Sequence, residues 1–157
     1  MVPTPLLVTK LHIPPHSVKL VPRPRLIARL NEGLQFGHKL TLTSAPAGFG
    51  KTMLLSEWAA SPELEGRVAW LALDKEDNVP SRFWAYVNGA LQKILPKADY
   101  TASASFQALE TPSIEAVLIP LVNQIAANKE KIILVLDDYH LVTKEEIQQG
   151  MTIALPA

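Results

Sequence analysis

The spacing of apolar residues changes several times along this chain, and each change marks an element. From Leu26 to Leu34, LIARLNEGL, apolar positions recur at helical spacing and close at Gly33, which predicts a short helix. Lys39 to Ala45 is a short, partly β-branched run bounded by Gly37 and Pro46, the pattern of a buried strand. Gly50 to about Ala60 sets Leu54, Leu55 and Trp58 on one helical face. Arg67 to Leu73, RVAWLAL, is a second strand candidate. Pro80 to Leu95 opens with proline in a first-turn position and carries the stripe Phe83, Val87, Leu91 and Ile94, a longer helix. Lys97 to Glu110 is small and polar, a loop. Pro112 to about Asn128 reads as another helix, and Lys131 to Asp137, KIILVLD, is the strongest strand. The closing stretch from Thr143 starts a further helix. Before all of these, Pro3, Pro5, Pro14, Pro15, Pro22 and Pro24 remove backbone donors and fix φ, so residues 1–25 are expected to form an extended arm.

Strands alternating with helices predict an α/β fold whose parallel sheet is covered by helices on both faces. The expected organisation is the arm followed by one domain over 26–157. The 157 residues suffice for one real core, and 48% apolar with 19% charged residues is a globular composition. Fifteen basic residues balance fifteen acidic ones, so no basic field exists to hold DNA or an anionic membrane nonspecifically. Without cysteine there is no disulfide, thiolate zinc site or thiol nucleophile. The N-terminus lacks the charged start and apolar stretch of a signal peptide, and no run reaches the ~18 apolar residues of a membrane span, so a soluble, cytoplasmic chain is expected.

The stretch TLTSAPAGFGKTMLL interrupts two apolar runs with a glycine-rich bend followed by Lys51 and Thr52. A strand, such a bend, Lys-Thr and a helix together describe a P-loop. Consecutive backbone N–H groups in the bend can point at phosphate oxygens. Gly48 and Gly50 can adopt backbone angles closed to other residues and leave room for a ligand. The following helix adds unpaired N–H groups and a positive dipole end. Lys51 would reach the β- and γ-phosphates, and the Thr52 hydroxyl would ligate Mg²⁺. Ala45 stands where the strict motif has its first glycine. The alternative is an ordinary strand-to-helix turn with a chance Gly-Lys-Thr.

KIILVLDDYH ends a buried strand in Asp137 and Asp138. A carboxylate there can hold Mg²⁺ through water opposite the loop threonine, and a second can polarise an attacking water. Asp137 is the candidate metal residue and Asp138 the candidate catalytic one. A solvated loop aspartate would look the same as Asp138. His12, His16, His38 and His140 have no metal-ligand spacing. Trp58, Trp70 and Trp84 lie in apolar segments and read as core. Asp74, Asp77 and Asn78 follow a strand, at the edge where nucleotides bind in such sheets, but helix capping by Asn78 is the simpler account. No Ser-His-Asp arrangement is readable.

RPRL at Arg23 to Leu26, TLTSAPAGFGKTMLL, AWLALDKEDNVPSRFWAYV and ILVLDDYHLV occur together and in order. In this the chain, from about Leu6 to Val142, resembles the N-terminal ATPase region of large ATP-binding LuxR-type transcription regulators. These are STAND-class P-loop NTPases, relatives of the AAA+ and apoptotic ATPases. The resemblance implies ATP and Mg²⁺ as cofactors, with Ala45, Pro46, Ala47, Gly48, Phe49, Gly50, Lys51, Thr52 and Met53 forming the phosphate loop. In that family the loop commonly begins with alanine, as at Ala45. Asp137 would be the Walker B metal residue, beside Asp138. Arg23, in an arm that passes the base in such proteins, becomes a candidate nucleotide contact, the other reading being a solvated basic arm. Met53 replaces a usual second threonine, and Val79 replaces a frequent acidic residue before Pro80.

The resemblance also implies a switch with slow or no ATP hydrolysis. In the whole protein it implies an inducer, self-association and DNA contact through later domains, with no DNA binding by this segment and no membrane role. It further implies a strand after the acidic one, inserted between it and the P-loop strand. That sets the expectation of an N-terminal fragment, truncated before the later core strands, with two sheet edges unpaired. A small-molecule kinase is a second reading, although between Lys51 and Asp137 only Arg67 and Arg82 could serve a lid. A nonfunctional gene fragment is a third.

Overall fold

The computed structural model describes residues 5–15, 19–95 and 114–155. The elements are α1 (Pro24–Gln35), α2 (Lys51–Ala59), β1 (Val68–Ala72), α3 (Pro80–Gln92), α4 (Ile114–Ala127), β2 (Ile133–Asp137) and α5 (Glu145–Ala154), with short 3-10 turns between them. The predicted loop 97–110 and His16 lie outside the described residues. The chain divides into two compact units, Met1–His12 with Arg67–Ala157, and Ile13–Gly66.

The first unit is built on β1 and β2, which pair in parallel from Val68 opposite Ile133 to Ala72 opposite Asp137. This is the α/β architecture expected from the alternation of periods. Val68, Ala69, Trp70 and Leu71 are buried in succession, as a strand covered on both faces requires. α3 contributes Phe83, Trp84, Val87 and Leu91 to the core beside Leu71 and Leu73, and α4 and α5 add Leu118, Leu121 and Ile147. Pro80 occupies the first turn of α3, where the missing N–H breaks no helical bond. Trp58, Trp70 and Trp84 are all buried, as their setting predicts.

The N-terminal segment departs from the extended reading. Val8–Leu11 form a 3-10 turn, and polar groups of the first unit fasten it. The Leu7 N–H donates to the Tyr86 hydroxyl at 3.1 Å, and the Lys93 ammonium donates to the Leu11 carbonyl at 3.0 Å. Lys10 reaches the Asp74 carboxylate at 2.9 Å and bonds Asp77, while its ammonium sits 4.5 Å from the Tyr86 ring centre. Asp77 also accepts from Arg82 at 3.0 Å and from the Asp74 N–H at 2.9 Å. A fully buried carboxylate (0% exposed) is thus held by two cations and a backbone amide, the condition under which burying a charge is tolerable.

The capping expectation for Asn78 also changes. Asp74 is the cap of the 3-10 turn Lys75–Asp77, in a reciprocal capping box with Asp77. Asn78 instead accepts N–H bonds from Thr143 and Lys144, both at 2.9 Å, and so ties the entry of α5 to the end of β1's loop.

In the second unit, α1 buries Leu30 and α2 buries Leu54 and Trp58, and the Trp58 indole N–H donates to Asn31 Oδ1 of α1 at 2.8 Å. Buried Ser56 donates to the Pro14 carbonyl. The predicted strand Lys39 to Ala45 is not a strand here. Among the described residues no strand pairs with it, and Leu40 and Leu42 are 67% and 82% exposed. A strand is defined by its ladder partner, and an apolar pattern states only that the segment suits burial.

Candidate functional site

Residues Ala45 to Thr52 and Arg23 all belong to the second unit. The chain turns at Pro46, where the Phe49 N–H donates back to the Pro46 carbonyl at 3.4 Å, and α2 begins at Lys51. Gly48 and Gly50 have φ of +84° and +78°, the left-handed region where a β-carbon is costly. Gly50 is the cap residue of α2, so the turn that opens the helix depends on that backbone angle. A β-carbon at Gly48 would meet no atom within 4 Å. The bend is therefore open at Gly48.

The Lys51 ammonium folds back over the bend and donates to the Ala45 carbonyl at 2.5 Å and to the Pro46 carbonyl at 3.3 Å. At the other end, Arg23 Nη1 donates to the Phe49 carbonyl at 2.8 Å. Two cations thus attend one glycine bend at the start of a helix, an arrangement suited to an anion. Thr52 lies in the first helical turn and Met53 beside it, both half-buried, while Ala47 and Phe49 are exposed. An incoming polyphosphate would offer Lys51 stronger acceptors than the two carbonyls it now holds. Mg²⁺ bound with it would neutralise phosphate charge, and a hydroxyl such as that of Thr52 is the kind of oxygen ligand it takes.

The acidic pair belongs to the first unit. Asp137 is the last residue of β2 and is buried, and its carbonyl accepts the Leu73 N–H at 3.0 Å. Its carboxylate accepts the Asp138 N–H at 3.1 Å. Asp138 has φ of +58°, the sole non-glycine residue with positive φ among those described, a conformation that aspartate tolerates better than most. It opens the 3-10 turn Tyr139–Leu141, its side chain is half-exposed, and His140 Nδ1 lies 3.9 Å from its Oδ1. Burial pushes the Tyr139 phenol above its usual range. Among the described residues no three His, Asp or Glu side chains form a metal cluster, and no helix is long and apolar enough to cross a membrane.

Sequence reasoning named Arg23 through a resemblance but did not foresee its bond to Phe49, because nothing local links positions so far apart. It read Asp77 as a residue of the strand edge and missed the cluster with Lys10 and Arg82 for the same reason.

No family model matches the chain. Two relatives do. The HTH-type transcriptional regulator MalT of Cronobacter sakazakii is 33% identical over 150 residues. Its namesake from Serratia proteamaculans is 34% identical over the same length. Each match takes in 96% of this chain and 16% of the relative. The chain therefore spans about a sixth of the length of these relatives, and within that span it is a homologue of MalT-like HTH-type transcriptional regulators.

Proposed function

We propose that this chain is the ATP- and Mg²⁺-binding part of a STAND-type regulator of the LuxR family, a cytoplasmic nucleotide-dependent switch with slow or no hydrolysis. The observation that carries the reading is the bend itself: two glycines at positive φ, an open cradle, and Lys51 poised over it at the first turn of α2. In this reading Ala45 to Met53 wrap the phosphates and Thr52 is a metal ligand, while Asp137 keeps its candidate metal role and Asp138 its candidate role in polarising water. The relatives' description as transcriptional regulators supports the switch. An inducer, self-association and DNA would be met by other parts of a longer protein.

The kinase reading loses support. Arg67 donates to the Lys131 carbonyl at 2.9 Å, and Arg82 pairs with Asp77 and Glu76, so both arginines serve packing within the first unit.

A displacement assay with a fluorescent ATP analogue tests the proposal. ATP and ADP are expected to compete, and adenosine, lacking phosphates, to compete at least tenfold less well. Phosphate release with Mg-ATP should be on the order of 10⁻² s⁻¹ or slower, against about 1–100 s⁻¹ for kinases. Equal competition by adenosine and ATP, or turnover in the kinase range, would refute it.

A further inference from the structure

Arg23 is flanked by Pro22 and Pro24, so its backbone is restricted on both sides. Its carbonyl accepts the N–H groups of Leu26 and Ile27, which fixes it to the first turn of α1. From this base the guanidinium reaches the glycine bend. Nη1 donates to the Phe49 carbonyl at 2.8 Å. The group also covers Gly50: a β-carbon there would lie 3.1 Å from Nη2, 3.4 Å from Nη1 and 3.5 Å from Cζ.

The Phe49 carbonyl and the Gly50 N–H belong to one peptide plane, and in a trans peptide they point in opposite directions. No cis peptide occurs among the described residues. Whatever holds the Phe49 oxygen therefore sets the aim of the Gly50 N–H. With φ of +78°, Gly50 has neighbouring conformations that a glycine reaches easily. An unheld plane could flip, and the N–H would then reverse its direction.

We propose that Arg23 is a positioning residue for phosphate binding, acting through the Phe49–Gly50 peptide plane and not through the nucleotide base. The inference rests on the phosphate-binding reading given above and assigns Arg23 its part in it. It separates Arg23 from Lys51: Lys51 leaves its carbonyls for the ligand, whereas Arg23 keeps its carbonyl and holds the loop in the binding shape.

The test compares the wild-type chain with Arg23→Ala and Arg23→Lys, using ATP and inorganic tripolyphosphate as ligands and ¹⁵N relaxation on the ligand-free protein. Loss of a bond from a charged donor predicts that Arg23→Ala weakens ATP and tripolyphosphate by the same factor, about tenfold or more. Arg23→Lys keeps the charge but not the planar fork, and is expected to restore less than half of that loss on a logarithmic scale. In the free protein, the order parameters of the Phe49 and Gly50 amides should fall in Arg23→Ala from about 0.85 towards 0.6. If ATP weakens while tripolyphosphate does not, Arg23 contacts the base or ribose and the inference is overturned. It is likewise overturned if the order parameters do not change, a result that needs no ligand. A wild-type chain that binds neither ligand while Arg23→Ala loses loop order would instead count against the phosphate-binding reading and leave the brace standing.

Discussion

Asp77→Asn is expected to lower stability by about 3–5 kcal/mol, the usual consequence of breaking one partner of a buried ion pair. The carboxylate is fully buried and accepts from Lys10, Arg82 and the Asp74 amide. An asparagine would keep the shape, lose the charge and leave two cations facing an amide. Asp74 remains as a partner for Lys10 at 2.9 Å, which places the loss towards the lower end of that range. At about 2–4 °C per kcal/mol for a chain of this size, the melting temperature should fall by roughly 6–12 °C. Lys10→Met should also destabilise, and the double variant should lose less than the sum of the two, because each single change already breaks the same bond. Additive losses in a thermal-melt cycle would show that Lys10 and Asp77 are not coupled.

The pH dependence follows from the same cluster. Burial pulls the Lys10 ammonium down, but its bonds and charge attraction to Asp77 and Asp74 outweigh this and leave it raised above 10.5. The bond from Lys10 holds the Asp74 carboxyl below its usual 3.8, against a smaller opposing effect of burial. A raised lysine contributes stability below its unfolded value and loses it as the pH climbs through the folded one. A lowered carboxyl contributes above its unfolded value and loses it as the pH falls through the folded one. The Lys10 and Asp74 contributions should therefore both be present from about pH 5 to 10 and decline on either side, and Lys10→Met should flatten the alkaline decline.

Gly150→Ala carries the second large effect. A β-carbon there would lie 2.5 Å from Trp84 Cζ2 and 3.2 Å from Cε2. Trp84 is buried and stands edge-on to Phe83 with ring centres 5.0 Å apart, so it cannot easily retreat. Alanine gains about 1 kcal/mol of helix propensity within α5. Overpacking a filled core costs about 1–3 kcal/mol. The clash is with the rigid ring and not with a flexible chain end, so the cost should lie near the upper figure and the net loss near 2 kcal/mol. Trp84→Phe removes the offending atoms, so adding Gly150→Ala to that background should be neutral or stabilising. Equal destabilisation in both backgrounds, read by denaturant melts, would place the cost elsewhere.

What could be read from the sequence was local. α2, α3 and β2 follow from residues spaced within one element, and the glycines at 48 and 50 announce a bend, where both have positive φ. Asp137 at the end of β2 follows from a run of apolar residues that stops at a carboxylate. What could not be read depends on partners distant in the chain. Lys10 and Asp77 are separated by 67 positions, and a lysine in a proline-rich arm gives no sign of burial. Asn78 looks like a cap for α3 because that helix is next in sequence, yet its acceptors are used by Thr143 and Lys144. The segment Lys39 to Ala45 has the composition of a strand, but pairing is a property of two segments and the pattern describes only one.

The central claim is that the bend from Ala45 to Thr52 holds phosphate. Calorimetric titration of this chain with Mg-ATP, beside Lys51→Ala, tests it most directly. Lys51 would supply a charged hydrogen bond to the phosphates, so the account predicts saturable binding by the wild-type chain and a loss of about ten- to a hundredfold in the variant. Equal affinity in the two proteins, or no heat from a folded wild-type chain, would contradict it.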